Sequence, residues 1–284
     1  MGSLTPVARV IRFEEYGPLF ILCGAAGALY AGLGSGYGFV GLLAFVALFS
    51  ASAFVLNDIA DREEDASTPG SRNPLATGQL PLSRGVALFA LLAAGSAASL
   101  LFVSSGDVYI ALLVYGLYWG YSWGPGFRAR PGVDVIVHGA VPALFVVMGA
   151  SLTGTPAAGG FVLAGVVFCL AAMSGVLQEV RDLDRDAPSR RTTALLLGKE
   201  RSADLALLMM GSGVAIYAAA VVAGGLPAAM LAIVPFSWFL AAPVLSLRRG
   251  EETADAAIRA IRARGLALAG GAFLLYLAMA AASI

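Results

Sequence analysis

Residues 57–65 read NDIADREED and close a stretch at 39–56, FVGLLAFVALFSASAFVL, that carries no charge. A chain that keeps ionisable groups out of long apolar stretches has gathered carboxylates where one of them ends. One acid at such a boundary is ordinary, whereas several at regular spacing need a chemical reason.

The surrounding composition sets the solvent. Of 284 residues, 59% are hydrophobic and only 13% charged, and the mean hydropathy is +0.83. Soluble domains run nearer to about 45–50% apolar and about 25% charged, so this is an integral membrane protein. Nine apolar stretches recur, at roughly 17–35, 38–57, 85–104, 108–124, 136–153, 159–178, 203–223, 227–247 and 265–283. Each is long enough for a helix to cross roughly 30 Å of hydrocarbon. The expected architecture is an all-α, polytopic bundle of nine transmembrane helices around a central cavity, forming one domain over 1–284.

The leading segment MGSLTPVARVIRFEEYG has charges but no cleavage pattern, so no removed signal peptide is expected. Its Gly2 and Thr5 fit a loose myristoylation pattern, which nine spans make superfluous. Cys23 and Cys169 each fall inside a span and read as small core side chains. All eighteen Lys and Arg fall on one side of the alternating loops, and the opposite connections SSGD, TGTPAAGG and AGGL contain none. The positive-inside rule then makes the first side cytoplasmic, with the N-terminus inside, for a multi-pass protein of the cell membrane.

The acidic run occurs twice. Residues 178–186 read QEVRDLDRD, so Asp58, Asp61 and Asp65 are matched by Glu179, Asp182 and Asp186 at a constant offset of 121, and an amide, Asn57 or Gln178, precedes each set. Helical positions i, i+3 and i+7 lie within an arc of about 60°, so each trio can project from one face. Both trios end even-numbered spans, which lets two acidic clusters face each other across a bundle. Ionisable groups at such depth are costly and mark functional cavities. Facing carboxylates call for cations, and Mg²⁺ takes one or two carboxylates and completes its octahedron with water and phosphate oxygens. Neither cluster holds His or Cys, which argues against zinc. Glu63, Glu64 and Asp184 lie off the shared face and read as solvated.

Basic connections follow both clusters. Arg72 stands in ASTPGSRNPLATGQLPLSRG, and Lys199 stands in APSRRTTALLLGKERS. Between them, YGLYWGYSWGPGFRARPGVD supplies Arg128 and Arg130 with Tyr115, Tyr118 and Tyr121. Cations here can balance charge developing on a departing diphosphate. The tyrosines read either as an interfacial belt or as a π-rich wall beside a cation. Arg190, Arg191, Arg248 and Arg249 read as topology residues, and His138 as a hydrogen-bonded interface residue.

In these motifs the chain resembles the UbiA superfamily of intramembrane prenyltransferases, whose pattern is nine transmembrane helices with Asn-Asp-x-x-Asp-x-x-x-Asp after the second and an Asp-rich motif after the sixth. Asn57, Asp58, Asp61 and Asp65 fill the first motif, while the second begins with Glu179 where the family usually has Asp. The resemblance implies two Mg²⁺ ions held through Asn57, Asp58, Asp61, Asp65, Glu179, Asp182 and Asp186. It also implies an isoprenyl diphosphate contacted by Asn57, Arg72, Tyr121, Arg128 and Lys199, with Asp58, Asp61, Asp182, Arg72 and Lys199 carrying the catalysis. A family element of Tyr-Ser, prolines and lysine is partly kept in YSWGPGFR, with Arg128 standing where lysine is usual.

The implied partners are an isoprenyl diphosphate, a hydrophobic acceptor and the lipid bilayer, and no nucleic acid. RARPGVD is similar to carotenoid-elongating members and SRNPLATG to the general pattern, so an aromatic or polyene acceptor is expected. The alternatives are a terpene cyclase on the same fold, acting without an acceptor, and, from another class, a transporter built on a repeat. The Ala- and Gly-rich GAAGALYAGLGSG suits close helix packing. LRRGEETADAAIRAIRARG reads as a short amphipathic surface helix before the last span, with Ala257, Ile258 and Ile261 on one side.

Overall fold

The computed structural model describes residues 5–32, 36–67, 70–123, 126–154, 156, 158–183, 191–223 and 228–282. The described residues are helical or irregular, and five helices are long and apolar enough to cross a membrane by themselves. Within the described residues, each of the nine apolar stretches lies mainly on α- or 3-10 helix, although only some form the single uninterrupted span the sequence predicts. The chain folds as two compact units, residues 1–127 with 144–160 and residues 128–143 with 161–284.

The first unit opens with α1 (Pro6–Ile11), whose Thr5 hydroxyl accepts from the Ala8 amide at 3.3 Å and whose proline occupies the first turn, where an N–H would go unused. Arg12 links it to α2 (Phe13–Tyr30). Helix α3 (Gly36–Ala60) contains the uncharged run met above and reaches Asp58 near its end, and α4 (Arg62–Ala66) follows after a single residue. Then come α5 (Leu82–Ser99), a 3-10 turn at Leu100–Phe102, and α6 (Ser105–Ser122). A reciprocal cap starts α6: the Asp107 amide donates to Ser104 Oγ, and the Ser104 amide donates to the Asp107 carboxylate, both at 3.2 Å. Asp107 is fully buried, and the Ser151 hydroxyl also donates to it.

Small residues set the packing of this unit. A Cβ at Gly149 would collide with the Gly24 carbonyl and lie 2.6 Å from the Ala28 amide, and one at Gly27 would collide with the Val146 carbonyl. Backbone meets backbone where α2 crosses the end of α7 (Val133–Ser151), so GAAGALY serves close approach as expected. An aromatic cluster fills the interior: Phe45, Phe49 and Phe145 interlock, and Tyr115 stands edge-on to Phe49 with ring centroids 4.9 Å apart. The Tyr115 hydroxyl bonds Ser96, which gives the half-buried phenol a partner.

The second unit holds residues 128 and 129 of a 3-10 turn at Phe127–Ala129, α7 up to residue 143, α8 (Ala158–Asp182) from residue 161, α9 (Thr193–Val222), a 3-10 stretch at Ala228–Ser237, α10 (Trp238–Arg248) and α11 (Ala254–Ala282). Its core joins Met173, Val176, Leu177 and Val180 of α8 to Ala203, Ala206 and Met210 of α9 and to Val244, Leu247, Ala257, Ile258 and Ile261. Three features depart from expectation. The helix holding span seven begins at Thr193, ten residues before the predicted apolar stretch, and is interrupted by Gly198, whose φ of 76° and ψ of 169° are not helical. Span eight is 3-10 before it becomes α-helical at Trp238, with Pro235 in the first part and Pro243 in the second. The amphipathic segment before the last span is no separate helix, because α11 runs unbroken from Ala254 to Ala282. Its predicted apolar face is nevertheless right, since Ala257, Ile258 and Ile261 are all buried. Cys23 and Cys169 are buried free thiols.

Candidate active site

The first acidic motif lies where α3 runs into α4. The helical hydrogen bonding carries through the junction, with the Asp61 amide on the Asn57 carbonyl at 2.9 Å and the Asp65 amide on the Asp61 carbonyl at 2.8 Å. The i, i+3, i+7 geometry therefore survives the break between the two helices. Asp58 and Asp61 are buried, at 1% and 8% exposure, while Asn57 and Asp65 are half-buried. The Asn57 amide donates to Asp61 Oδ2 at 3.1 Å, and its carbonyl oxygen accepts from the Ser122 hydroxyl at 3.5 Å.

Two residues that sequence reasoning passed over complete this cluster. Asn73, 2% exposed, donates through one amide nitrogen to the Asp58 carbonyl at 2.8 Å and to Asp65 Oδ2 at 2.9 Å, while its oxygen accepts from the Leu75 amide at 2.9 Å. It ties the loop after α4 to both ends of the motif. Arg12 donates from its guanidinium to Asp58 Oδ1. Asn73 had a faint signal in its place next to Arg72, whereas Arg12 had none beyond its charge ahead of the first span.

Burying a carboxylate is costly unless a cation and hydrogen bonds satisfy it. Asp58 Oδ2 is buried with no hydrogen-bond partner among the described residues, so Arg12 meets only half of that demand. A hard divalent cation suits such an oxygen. Among the described residues, no three acidic, His or Cys side chains converge closely enough to enclose an ion. A small number of carboxylates is nonetheless what Mg²⁺ takes when phosphate and water complete its shell.

In the second unit, Glu179 is buried and accepts the Ala194 amide at 3.0 Å through Oε2. Asp134, fully buried, accepts the Thr193 amide at 2.7 Å and the Thr193 hydroxyl at 2.6 Å, and the Thr192 hydroxyl accepts the Leu195 amide at 3.3 Å. The unused amides at the start of α9 are thus met by two carboxylates and a hydroxyl, the arrangement that the positive end of a helix favours. Asp182 closes α8 and is held by a two-pronged contact from Arg181, at 2.8 and 2.7 Å. Asp186, Asp184 and Arg190 lie outside the described residues.

Of the expected cations, Arg72 is exposed beside Asn73, and Lys199 is exposed immediately after the Gly198 break. Arg128 is half-buried in its 3-10 turn, and Tyr121 packs against Tyr118 with ring centroids 6.3 Å apart. Arg248 and Arg249 pair with Asp204 and Glu251 at 2.5 and 3.0 Å. A Cβ at Gly175 would lie 2.7 Å from His138, so this imidazole packs on the bare face of α8.

An apolar pocket of about 330 Å³ lies in the first unit, lined by Phe49, Ser52, Ala53 and Leu56 of α3, Phe89 of α5, and Tyr115, Gly116, Tyr118 and Trp119 of α6. Tyr115 and Tyr118 are wall residues of this pocket. The last α3 residue in the lining precedes Asp58 by two positions, so one helix presents first an apolar wall and then a buried acid.

Fold and composition define a multi-pass, all-α membrane protein. The model of the UbiA prenyltransferase family matches residues 19–264, a range that runs through both units, and the chain belongs to that family. The fold is similar to a UbiA homologue from Archaeoglobus fulgidus bound to GPP and Mg²⁺, with a TM-score of 0.75 and 19% identity over 95% of this chain and 98% of that one. It is equally similar to the apo UbiA homologue from Aeropyrum pernix K1, at a TM-score of 0.75 and 21% identity over 92% and 98%. A digeranylgeranylglyceryl phosphate synthase gives 0.71 and 17% identity over 96% and 99%. No curated protein matches the chain at a significant level.

Proposed function

We propose that the chain, as a single functional domain, is a Mg²⁺-dependent prenyltransferase that ionises an isoprenyl diphosphate and passes the prenyl group to a hydrophobic acceptor, aromatic or polyene. The observation that carries this reading is the sequence of surfaces along α3, where Phe49, Ser52, Ala53 and Leu56 line an apolar pocket and Asp58 follows, buried. An amphiphile with an apolar tail and an anionic head held through a cation matches that order. Family membership supports the reaction class, and Archaeoglobus fulgidus homologues bound to GPP and Mg²⁺ and to DMAPP and Mg²⁺ support the substrate class and the metal.

Mg²⁺ would be held by Asn57, Asp58, Asp61 and Asp65 of the first motif and by Glu179, Asp182 and Asp186 of the second, and when bound it neutralises the diphosphate oxygens as charge builds on them. Arg72, Arg128 and Lys199 are proposed as cationic donors to the diphosphate, and Tyr121 as a hydroxyl donor. The diphosphate leaves with the electron pair of the C–O bond, and the prenyl carbon is left as an allylic cation. Phe49, Tyr115 and Tyr118 offer π faces to that cation, and the apolar wall keeps water from quenching it. An electron pair of the acceptor closes the new bond, and a proton is then lost. The one-sided distribution of Lys and Arg supports a cell-membrane location with the N-terminus and the site facing the cytoplasm.

The test is diphosphate release by the purified protein with Mg²⁺ and prenyl diphosphates of several chain lengths, with and without a membrane lipid extract, beside an Asp61→Asn control. Release that depends on the extract and is lost in the control supports the transferase, and the newly prenylated compound identifies the acceptor. A cyclised hydrocarbon formed without extract would replace it with the cyclase. Turnover that persists in the control would remove Asp61 from the site.

A further inference from the structure

Arg12 is built into the fold in an unusual way. Among the described residues it is the one non-glycine with positive φ, at 48°, a left-handed conformation that an L side chain adopts at a cost and that tends to mark functional sites. It closes α1, donating its amide to the Ala8 carbonyl at 3.1 Å, and opens α2. The short α1 is itself pinned, since Val10 is fully buried against Val55, Leu75 and Leu80. That anchoring sends the Arg12 side chain across 46 residues of sequence to Asp58, with its guanidinium carbon 6.0 Å from the Phe54 ring centroid. Arg12 remains 32% exposed while its partner is 1% exposed.

The pairing is incomplete in a telling direction. A guanidinium can grip both oxygens of a carboxylate, yet here one nitrogen meets Oδ1 and the buried Oδ2 has no hydrogen-bond partner among the described residues. An arginine serving only to stabilise a buried acid would do better with two bonds. A contact through one N–H can be given up more easily, and a divalent cation at Oδ2 would be repelled by the guanidinium beside it. We infer that Arg12 is the exchangeable counter-ion of the first acidic motif: it supplies the positive charge that lets Asp58 be buried, and it competes with a divalent cation for that carboxylate. The inference rests on the first motif being a metal site, and it adds that metal affinity there is set in part by a residue outside both acidic motifs. Charge displaced from Asp58 stays next to the anion that arrives with the metal, so the cost of displacement falls when diphosphate is present.

The test is Mn²⁺ binding to the purified full-length protein in micelles, read from the spin resonance of free Mn²⁺, with no diphosphate present. Arg12→Gly removes the side chain while suiting the left-handed backbone. It is expected to tighten Mn²⁺ binding by a factor between roughly five and a thousand, the range a unit charge at contact distance spans between bulk water and a protein surface. Arg12→Lys, which keeps the charge, is expected to stay near wild type. Arg12→Asn, whose side chain tolerates the same conformation, replaces the glycine variant if the α1–α2 junction loosens. An Asp58→Asn control separates the two levels of the argument. If the control weakens Mn²⁺ binding and loss of Arg12 leaves it unchanged, the counter-ion role is wrong and the metal site stands. If the control leaves Mn²⁺ binding unchanged, the metal reading falls and this inference falls with it.

Discussion

Replacing Asn73 with alanine asks whether the loop after α4 positions the acidic motif or merely follows it. Asn73 is 2% exposed and donates to the Asp58 carbonyl and the Asp65 carboxylate while accepting from the Leu75 amide. Truncation strands a buried carbonyl and a buried amide and removes a charge-assisted bond to Asp65. Neutral hydrogen bonds contribute about 0.5–1.5 kcal/mol net and those to charged groups about 1.5–3 kcal/mol. Water reaching a helix end softens the loss, and hydrogen bonds in membrane proteins often measure only about 0.6 kcal/mol. The sum is a destabilisation of about 2–4 kcal/mol, visible as a lower midpoint in unfolding titrations of the protein in mixed micelles. Freed from Asn73, Asp65 should also serve the metal less well, so the Mg²⁺ concentration for half-maximal diphosphate release should rise about tenfold, the equivalent of about 1.4 kcal/mol. Saturating Mg²⁺ should restore most of the rate. Asn73→Asp should be worse, because it sets a further carboxylate against the Asp65 carboxylate and the Asp58 carbonyl. An alanine variant with unchanged midpoint and unchanged Mg²⁺ dependence would refute the reasoning, since the bonds in question would then do no positioning.

Arg72→Ala should weaken diphosphate binding at least tenfold while Arg249→Ala, which loses an exposed pair with Glu251, should change it by less than about twofold. Equal losses would reduce Arg72 to a topology charge. Chelation of divalent ions should stop diphosphate release and added Mg²⁺ should restore it, and turnover in excess chelator would overturn the metal mechanism. Gly149→Ala puts a methyl 2.6 Å from the Ala28 amide, so α2 and α7 must move apart at a cost of about 1–3 kcal/mol. A thermal midpoint within one degree of wild type would show that this crossing is looser than described.

Much of this architecture is legible along the chain because the bilayer imposes local rules. A helix must satisfy its own backbone bonds in hydrocarbon, so apolar length reads directly as spans, and a turn of 100° per residue turns the spacing of Asp58, Asp61 and Asp65 into a shared face. The repeat of that spacing at Glu179, Asp182 and Asp186 points to the family without any structure, and the glycines of GAAGALY show where backbones meet. Partner choice is not local. That Arg12 pairs with Asp58, that Asn73 bridges Asp58 and Asp65, and that Glu179 and Asp134 receive the first amides of α9 depends on loop paths whose ends only the packed helices bring together. The unbroken α11 and the interruption at Gly198 belong to the same class. Periodicity reports which face a residue occupies, whereas the charge or hydrogen bond opposite that face is decided by chain segments tens of residues away, and only tertiary structure supplies it.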